Sequence, residues 1–338
     1  MTQTLFSKDA DNRLNLNLSF LPTQIVAKNR ILDVQKSDVF TDFRSLTINN
    51  FAITGENQNI RINGSISNAE TDKIEVMLDK VDMSFVSSFL PAESSISFGG
   101  IVSGRADISG TLEKPTMKAT VRSDNLIFND YPVGRLEAQS HFNHNTKSID
   151  FNGIVSTDST NSISQINGQY FLGKDSLFLE GDVQNLRLQF VKNFIKQLFS
   201  EVDGYGTGHV RVCGNLKKEQ ITVETKAAVK DGRLRVDLLG ADFSFSDTLI
   251  LKKDSILLTN INVRDRYGNP AKVNGYVAHK YFIKNIKYKI DISGTNTLVF
   301  ARRRNNDIPM YGEAFASGFG SISGTDRFTN VTYNATTE

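Results

Sequence analysis

Apolar and polar residues alternate one by one along many segments of this chain of 338 residues. The segment Leu14–Phe20 reads Leu-Asn-Leu-Asn-Leu-Ser-Phe, and Ile286–Ile292 follows the same pattern. Successive side chains of a β-strand point to opposite faces, so each segment has one apolar face and one polar face. Parallel strands are buried on both faces and read instead as continuous apolar runs. The pattern therefore predicts an all-β chain of antiparallel strands.

Glycine-containing pairs separate these segments and are typical of tight turns. The expected turns are Asn63-Gly64, Gly99-Gly100, Asn167-Gly168, Asp203-Gly204, Asp231-Gly232, Gly268-Asn269-Pro270 and Asn274-Gly275. At roughly 10 residues per strand and turn, the chain has room for about 25 to 30 strands, which is too many for one sandwich. We therefore expect a long, repetitive antiparallel sheet.

Two segments break the alternation and carry apolar residues at helical spacing. They are Leu186–Phe199 and the shorter Val81–Leu90. Each is predicted to form a short helix that lies against the sheet and covers part of its apolar face. A position on a membrane surface is the alternative for Leu186–Phe199. The residues expected to cap the apolar face are Phe85, Phe89, Phe190 and Phe194.

A unit of about 105 residues recurs three times along the chain. Its clearest part is the motif Gly-x5-Gly, which starts at Gly104, Gly208 and Gly318. In each copy a polar turn and a further alternating strand follow, and we interpret the motif's first glycines as turn residues. We expect three sheet units in series, at 1–91, 92–199 and 200–338, the first two each ending in one helix. Stacking such units pairs their free edges and makes the apolar face continuous.

A long sheet with one apolar face twists and curls around that face. We therefore expect an open groove with an apolar lining. The groove candidates are Ile74, Val76, Leu78, Ile221, Val223, Ile286, Tyr288, Ile290 and Ile292. Burial contributes about 25 cal/mol per Å² of apolar area, so a uniform groove would hold an acyl chain and still let it slide.

The residue content argues against catalysis and against metal binding. Cys213 is the one cysteine, and His141 and His144 lie three apart in a strand-like segment, which places them on opposite faces. A net charge of +2 leaves no excess for nucleic acid. No Lys-Ser/Thr pair follows the glycine motif, which argues against a phosphate loop. We expect a protein that is not an enzyme and that uses no cofactor and no metal.

The helix followed by the glycine motif resembles a recurring element of a known family. Val81–Pro91 and the following Gly100–Pro115 are similar to the repeated unit of the AsmA-like superfamily, specifically its TamB family of translocation and assembly module proteins. The resemblance covers most of residues 60–338. Three further segments resemble the start of the family's carboxy-terminal region in Bacteroidota-type homologues: Asp231–Asp237, Phe243–Asp247 and Met310–Gly324.

The resemblance implies a bacterial envelope protein, anchored in the inner membrane and extending through the periplasm as a β-groove. It implies a role in outer-membrane biogenesis, in which the groove shields phospholipid acyl chains during transfer between the two membranes. An outer-membrane barrel partner would bind through regions outside this sequence. The sequence itself contains no secretion signal or spanning segment. We therefore expect a piece that lacks the anchor and the extreme carboxy-terminal end.

Three other functions are compatible with an all-β chain. The main alternative is a scaffold or chaperone that templates strands of outer-membrane proteins on its own sheet edges. A β-helix enzyme or adhesin would require carboxylates clustered on one exposed face, and acidic pairs here are scattered. An outer-membrane barrel would require aromatic girdles, which the absence of Trp disfavours.

Overall fold

The computed structural model describes residues 2–27, 30–69, 71–84, 97–157, 162–192, 199–218, 220–237, 239–282, 284–302 and 311–337. The protein is 78% strand and 3% helical, and its described strands form one antiparallel sheet. Their number, 24, falls just below the expected range. The prediction of an all-β chain with a long, repetitive antiparallel sheet is confirmed.

The strands follow one another through short connections. The first thirteen are β1 Thr2–Lys8, β2 Leu14–Phe20, β3 Thr23–Ala27, β4 Arg30–Val34, β5 Ser37–Thr41, β6 Leu46–Thr54, β7 Asn59–Ile66, β8 Lys73–Asp82, β9 Phe98–Gly99, β10 Ile101–Gly110, β11 Pro115–Phe128, β12 Tyr131–Asn143 and β13 Ser148–Thr157. The others are β14 Ser162–Phe171, β15 Ser176–Arg187, β16 Phe199–Asn215, β17 Gln220–Val236, β18 Ala241–Phe245, β19 Thr248–Lys252, β20 Ser255–Asp265, β21 Pro270–Lys280, β22 Lys284–Arg302, β23 Gly312–Thr325 and β24 Thr329–Thr337.

The chain divides into two compact units. Unit 1 contains Met1–Asp158 and Asn167–Asp175, and unit 2 contains Ser159–Ile166 and Ser176–Glu338. In unit 1, strands β5, β6, β7, β8, β10, β11, β12 and β13 pair in that order. In unit 2, β18 and β19 each pair with both β17 and β20, and β20 to β24 then pair in sequence. The three-part division of the sequence stays a prediction.

The alternating segments form strands as the pattern predicts. Leu14–Phe20 is β2, Ile74–Leu78 lies in β8, Ile221–Val229 lies in β17, and Ile286–Ile292 lies in β22. In an antiparallel pair, residues directly opposite each other place their side chains on the same face. The register therefore shows which residues of neighbouring strands share the apolar face.

The two segments predicted to be helices have strands at their described ends. Val81 and Asp82 end β8, and Leu186 and Arg187 end β15. A 3-10 turn occupies Leu188–Val191, and Phe199 already begins β16. Met83 and Ser84 have 3-10 conformation and Lys192 is helical, so the helix predictions are wrong at Val81–Asp82, Leu186–Arg187 and Phe199 and otherwise stay predictions. Residues 85–96 and 193–198 lie outside the described residues.

Most of the predicted glycine turns are wrong. Gly268-Asn269-Pro270 does connect β20 to β21. The pairs that lie inside strands instead are Asn63-Gly64, Asn167-Gly168, Asp203-Gly204, Asp231-Gly232 and Asn274-Gly275. The repeat glycines Gly104, Gly208 and Gly318 also lie inside strands. Many of these glycines mark β-bulges, at which two residues of one strand oppose a single residue of the next.

Five of the bulges have the same construction. The second residue of each bulge has a positive φ: Asn50, Lys80, Asn185, Asn260 and Asn296. Its backbone N–H donates to a side-chain oxygen on the next strand, that of Asn63, Ser103, Thr207, Asn274 and Ser317 respectively, at 2.8–3.0 Å. The residue after each of these acceptors is a glycine: Gly64, Gly104, Gly208, Gly275 and Gly318.

The construction has a simple physical cause. Because two residues oppose one, the extra N–H has no backbone acceptor in the ladder, and the side-chain oxygen supplies one. A Cβ on Gly104 would lie 2.5 Å from the carbonyl oxygen of Thr120 on the following strand, and a Cβ on Gly208 would lie 2.5 Å from that of Lys226. The polar residue and the glycine that begin each repeat motif therefore form part of a β-bulge within the sheet, and not a turn between strands.

The buried core clusters of the described residues lie in unit 2. The first consists of Ala241, Phe243, Ile261, Val263, Ala271, Leu298 and Ala301. The second consists of Val277, Ile286, Tyr288 and Ile322. The half-buried Leu239, in the connection between β17 and β18, packs against both clusters.

Candidate functional site

The register of unit 1 aligns apolar positions across six strands. One row of mutually opposite residues runs Ile62, Val76, Ala106, Ala119, Ser140 and Phe151. The adjacent row runs Ile60, Leu78, Gly104, Val121, Ala138 and Gly153. These residues share one face because their strands pair antiparallel, directly opposite each other. The face continues without a charged side chain from β7 to β13 in these two rows.

Small residues occupy the middle of this face in β10 to β13. The floor consists of the small residues Gly104, Ala106, Ala119, Ala138, Ser140 and Gly153, with the larger Val121 among them, and Phe151 ends the first row in β13. Larger side chains stand on both sides along the same strands: Val102, Leu136 and Val155 on one side, and Ile108, Met117 and Phe142 on the other. We call this arrangement the trough. Val102 and Val155 are buried at 3% and 7% exposure, whereas the floor residues of β10 to β12 are half-buried.

Side chains alternate in exposure along the trough strands. Ala119 and Val121 are half-buried, whereas Lys118, Thr120 and Arg122 between them are exposed. The same alternation continues along β12. The floor of the trough therefore keeps part of its apolar surface exposed to solvent.

The opposite face of unit 1 carries a network of charges. Arg105 lies 2.6 Å from the carboxylate of Glu75 and 3.0 Å from that of Asp107, and Lys73 lies 3.6 Å from Asp107. The hydrogen bond from Arg105 lowers the pKa of Asp107. These side chains are one-third to one-half exposed. This face is suited to water, and the trough face is suited to hydrocarbon.

The predicted groove residues of β8 lie on the trough face. Ile74 is buried at 3% exposure, and Val76 and Leu78 are half-buried. Val76 and Leu78 stand opposite Ala106 and Gly104 of the trough floor. The sequence pattern therefore placed these three residues on one apolar face, although it gave no sign of the small residues beside them.

The predicted groove residues of β17 and β22 share the apolar face of unit 2. Val223 stands opposite Val212, and Ile221 stands opposite Gly214. From the same face of β17 a row of opposite residues continues across the sheet: Thr225, Leu251, Ile256, Val277 and Tyr288. Ile221 and Val223 are half-buried.

The β22 candidates are in a different environment from Val223. Ile286 and Tyr288 are 6% and 9% exposed and belong to the second core cluster. Ile290 packs against that cluster, and Ile292 packs against the first. The chain itself covers these positions, so an apolar ligand would reach Ile286 and Tyr288 only after a movement of the protein.

The predicted helix caps cannot be placed. Phe85, Phe89 and Phe194 lie outside the described residues, as does the side chain of Phe190. Phe300, which precedes Gly318 by 18 residues as Phe190 precedes Gly208, lies in β22.

Burial shifts the pKa values of two side chains of types that take part in catalysis, Cys213 and His279. Among the described residues, no group of three or more His, Cys, Asp or Glu side chains is placed to hold a metal ion. Burial raises the pKa of the half-buried Cys213 thiol, which disfavours the reactive thiolate. Burial lowers the pKa of His279, whose ring stacks on Phe282 at 4.1 Å. Both features are consistent with structural roles.

The trough is the feature that the sequence reasoning missed. Its signal was present, because Gly104-x-Ala106, Ala119 and Ala138 occupy the apolar positions of three alternating strands. Recognising it required the register, which aligns these positions across neighbouring strands. Comparison with known proteins adds nothing to this picture, since no family model, no curated protein and no solved structure matches the chain. No helix among the described residues is long and apolar enough to cross a membrane.

Proposed function

We propose that this protein binds the aliphatic chain of a lipid in the trough of unit 1 and shields it from water without chemical change. The observation that carries the proposal is the set of small, half-buried residues of β10 to β12 that lies between larger apolar side chains of the same strands. The charged network on the opposite face keeps that side of the same strands hydrated.

The energetics favour a mobile, weakly specific ligand. Strands lie about 4.8 Å apart, so the trough over four strands is about 15 Å long. Each buried methylene contributes about 0.8 kcal/mol, which amounts to several kcal/mol for a chain of that length. The floor holds one hydroxyl, that of Ser140, and no charged group to fix a headgroup. A ligand held only by apolar contact can slide along the face.

The resemblance to the TamB family gives this activity a setting. In that setting the protein lies in the periplasm, is anchored to the inner membrane by a segment outside this sequence, and transfers phospholipids toward the outer membrane. A barrel partner in the outer membrane is part of the same proposal. Neither an enzyme activity nor a cofactor is required for it.

The test places a large side chain in the trough and the same side chain on the opposite face. Ala119→Phe fills the floor, whereas Thr120→Phe adds an exposed ring on the next residue of the same strand. We expect at least a tenfold loss of affinity for a fluorescent fatty acid with Ala119→Phe and less than a twofold change with Thr120→Phe. Equal affinities in both variants would contradict the proposal.

Crosslinking distinguishes lipid shielding from the scaffold alternative. A photoreactive amino acid at position 119, with position 120 as the control, captures whatever lies in the trough during expression in a bacterial envelope. Phospholipid adducts at 119 and not at 120 are expected. Protein adducts at strand edges in place of lipid adducts would support the templating of outer-membrane proteins instead.

A further inference from the structure

Positive charge is concentrated in one part of unit 2. The segment 270–292, which contains β21 and the first part of β22, has five lysines and no arginine, and its one acidic residue is Asp291. The whole chain has 39 basic and 37 acidic residues, so the rest of the chain has no positive excess. The side chains of all five lysines are exposed: Lys272, Lys280, Lys284, Lys287 and Lys289.

The register places these five lysines on one face of the sheet. Lys287 and Lys289 stand opposite residues of β21, and Lys280 and Lys284 stand opposite each other. Lys272 lies on the same side of β21 as Lys280, because an even number of positions separates them. The other face of these strands carries the second core cluster. We call the surface formed by the five lysines the basic face.

The protein does not neutralise the basic face. Among the described residues, no carboxylate lies within salt-bridge distance of any of the five lysines. Charges on other polar faces are paired, such as Arg105 with Glu75 in unit 1 and Arg211 with Glu180 in unit 2. Asp291 instead accepts a hydrogen bond from a serine hydroxyl of β23 at 2.6 Å.

The opposed pair of lysines is unfavourable for the isolated sheet. Like charges directly opposite each other destabilise a pair of strands, and Lys280 and Lys284 are such a pair. An anion bound between the two ammonium groups would remove this repulsion. The arrangement therefore favours an anionic partner.

Two exposed aromatic rings lie among the lysines. Tyr276 is 43% exposed and stands opposite Lys289, and Phe319 of β23 is 48% exposed. Phe319 stands opposite Ser293, which in turn stands opposite Lys272, so it belongs to the same face. Aromatic rings beside lysines are suited to a membrane surface, where one end of the ring is in contact with apolar groups and the charges meet headgroups.

We propose that the basic face of unit 2 binds the surface of a membrane that contains anionic lipids. The lysines attract the headgroups, and the two aromatic rings enter the layer between headgroups and acyl chains. The absence of arginine favours headgroups over nucleic acid, because arginine is the side chain suited to bidentate contacts with phosphates and bases. The inference is independent of lipid binding in the trough, which lies in unit 1.

The test measures binding of the full chain to sedimented vesicles. The vesicles contain phosphatidylglycerol and phosphatidylcholine in equal parts, and neutral vesicles contain phosphatidylcholine alone. The wild type should bind the anionic vesicles and not the neutral ones, and high salt should release it. Combining Lys284→Gln, Lys287→Gln and Lys289→Gln should weaken binding at least tenfold.

A matched variant controls for the loss of net charge. Combining Lys36→Gln, Lys114→Gln and Lys118→Gln removes the same charge from exposed positions of unit 1. This control should change binding less than twofold. Equal binding of the two triple variants would overturn the proposal, and so would equal binding of wild type to neutral vesicles.

Tryptophan fluorescence gives a second measurement that leaves the lysines intact. The chain contains no Trp, so each variant has a single emitting residue. Emission from Phe319→Trp should shift to shorter wavelength with anionic vesicles, whereas emission from Phe6→Trp, at an exposed position of unit 1, should not. A shift at neither position, or an equal shift at both, would contradict the proposal.

Two further outcomes would assign the binding elsewhere. Loss of vesicle binding in Ala119→Phe would mean that the trough holds the membrane, and it would overturn the proposal for the basic face. Binding of single-stranded nucleic acid that requires the three β22 lysines, without binding of anionic vesicles, would identify the basic face as a nucleic-acid surface instead.

Discussion

The apolar faces of the two units arise from the same alternating pattern and differ in what covers them. In unit 1, Ala106 and Ala119 remain half-buried in a floor of small residues. In unit 2, Leu239 packs against the buried core clusters, to which β22 contributes Leu298, and Leu298 is 0% exposed. Alternation thus determines that a face is apolar. The two faces differ in side-chain size and in packing by a residue outside the strands, Leu239.

Both units contain the same bulge construction, so the bulge alone does not explain the difference. Gly104 belongs to unit 1 and Gly208 to unit 2, and each follows a hydroxyl that accepts an N–H from the neighbouring strand. What unit 2 adds is the end of β22. There the buried carboxylate of Asp265 accepts the N–H of Leu298 at 2.8 Å and holds that strand end over the core.

The largest expected effect on stability comes from replacing a leucine by alanine on the apolar face of each unit. Leu298→Ala should lower the free energy of unfolding by about 4 kcal/mol, because it empties a fully buried site. Leu78→Ala should cost about 1.5 kcal/mol, because Leu78 is only half-buried. Urea unfolding of each variant, with hydrogen exchange to assign the loss to β22 or β8, measures both. Equal losses would show that the two faces are equally closed.

A second prediction addresses the bulges that both units share. Gly104→Ala and Gly208→Ala should each cost about 2 to 3 kcal/mol, because the new Cβ collides with a carbonyl oxygen of the following strand. Gly173→Ala is the control, since a Cβ there contacts nothing within 4 Å, and it should change stability by less than about 0.5 kcal/mol. A large loss in one unit only would mean that the bulges are not equivalent.

The sequence was sufficient for the fold class because alternation is a local property. Leu14–Phe20 matches β2 at both ends, and the shared apolar face of Val223 and Tyr288 follows from the same period. The turns were predicted less well, since Asn63-Gly64 and Asn274-Gly275 are equally suited to a hairpin turn and to a bulge. The choice between them depends on the neighbouring strand, which local pattern does not specify.

Alternation in the sequence predicted only part of the candidate site. The three β8 candidates lie beside the trough, but the sequence singled out large apolar residues and overlooked Ala119 and Ala138. Large side chains dominate a periodicity argument, whereas a binding depression is made by small ones. Leu239, from the connection between β17 and β18, packs against the core cluster that contains Ile286 and Tyr288. Contacts of that kind are absent from any strand pattern.

The smallest expected effects on stability come from replacing two aspartates, Asp265 and Asp107. The pKa values of both are lowered. Burial alone would raise the pKa of Asp265, but hydrogen bonds from the N–H of Leu298 and from Asn269 outweigh it and lower the pKa. Asp107 is exposed to water, and Arg105 lowers its pKa. Asp265→Asn should cost about 2 kcal/mol at neutral pH, and Asp107→Asn less than about 0.5 kcal/mol.

The pH dependence of these stability losses distinguishes the buried, hydrogen-bonded carboxylate of Asp265 from the surface ion pair of Asp107. A carboxyl whose pKa is lower in the folded state stabilises the protein above its unfolded pKa of about 3.9, and this stabilisation is lost as the pH falls through the folded pKa. The stability difference between wild type and Asp265→Asn should therefore stay constant from pH 7 to about 5 and shrink below about 4. It should persist in 0.5 M salt, because the buried Asp265 is weakly screened, whereas the Asp107 difference should vanish there. Loss of the Asp265 difference in salt would mean that water reaches the end of β22, and that unit 2 is as open as unit 1.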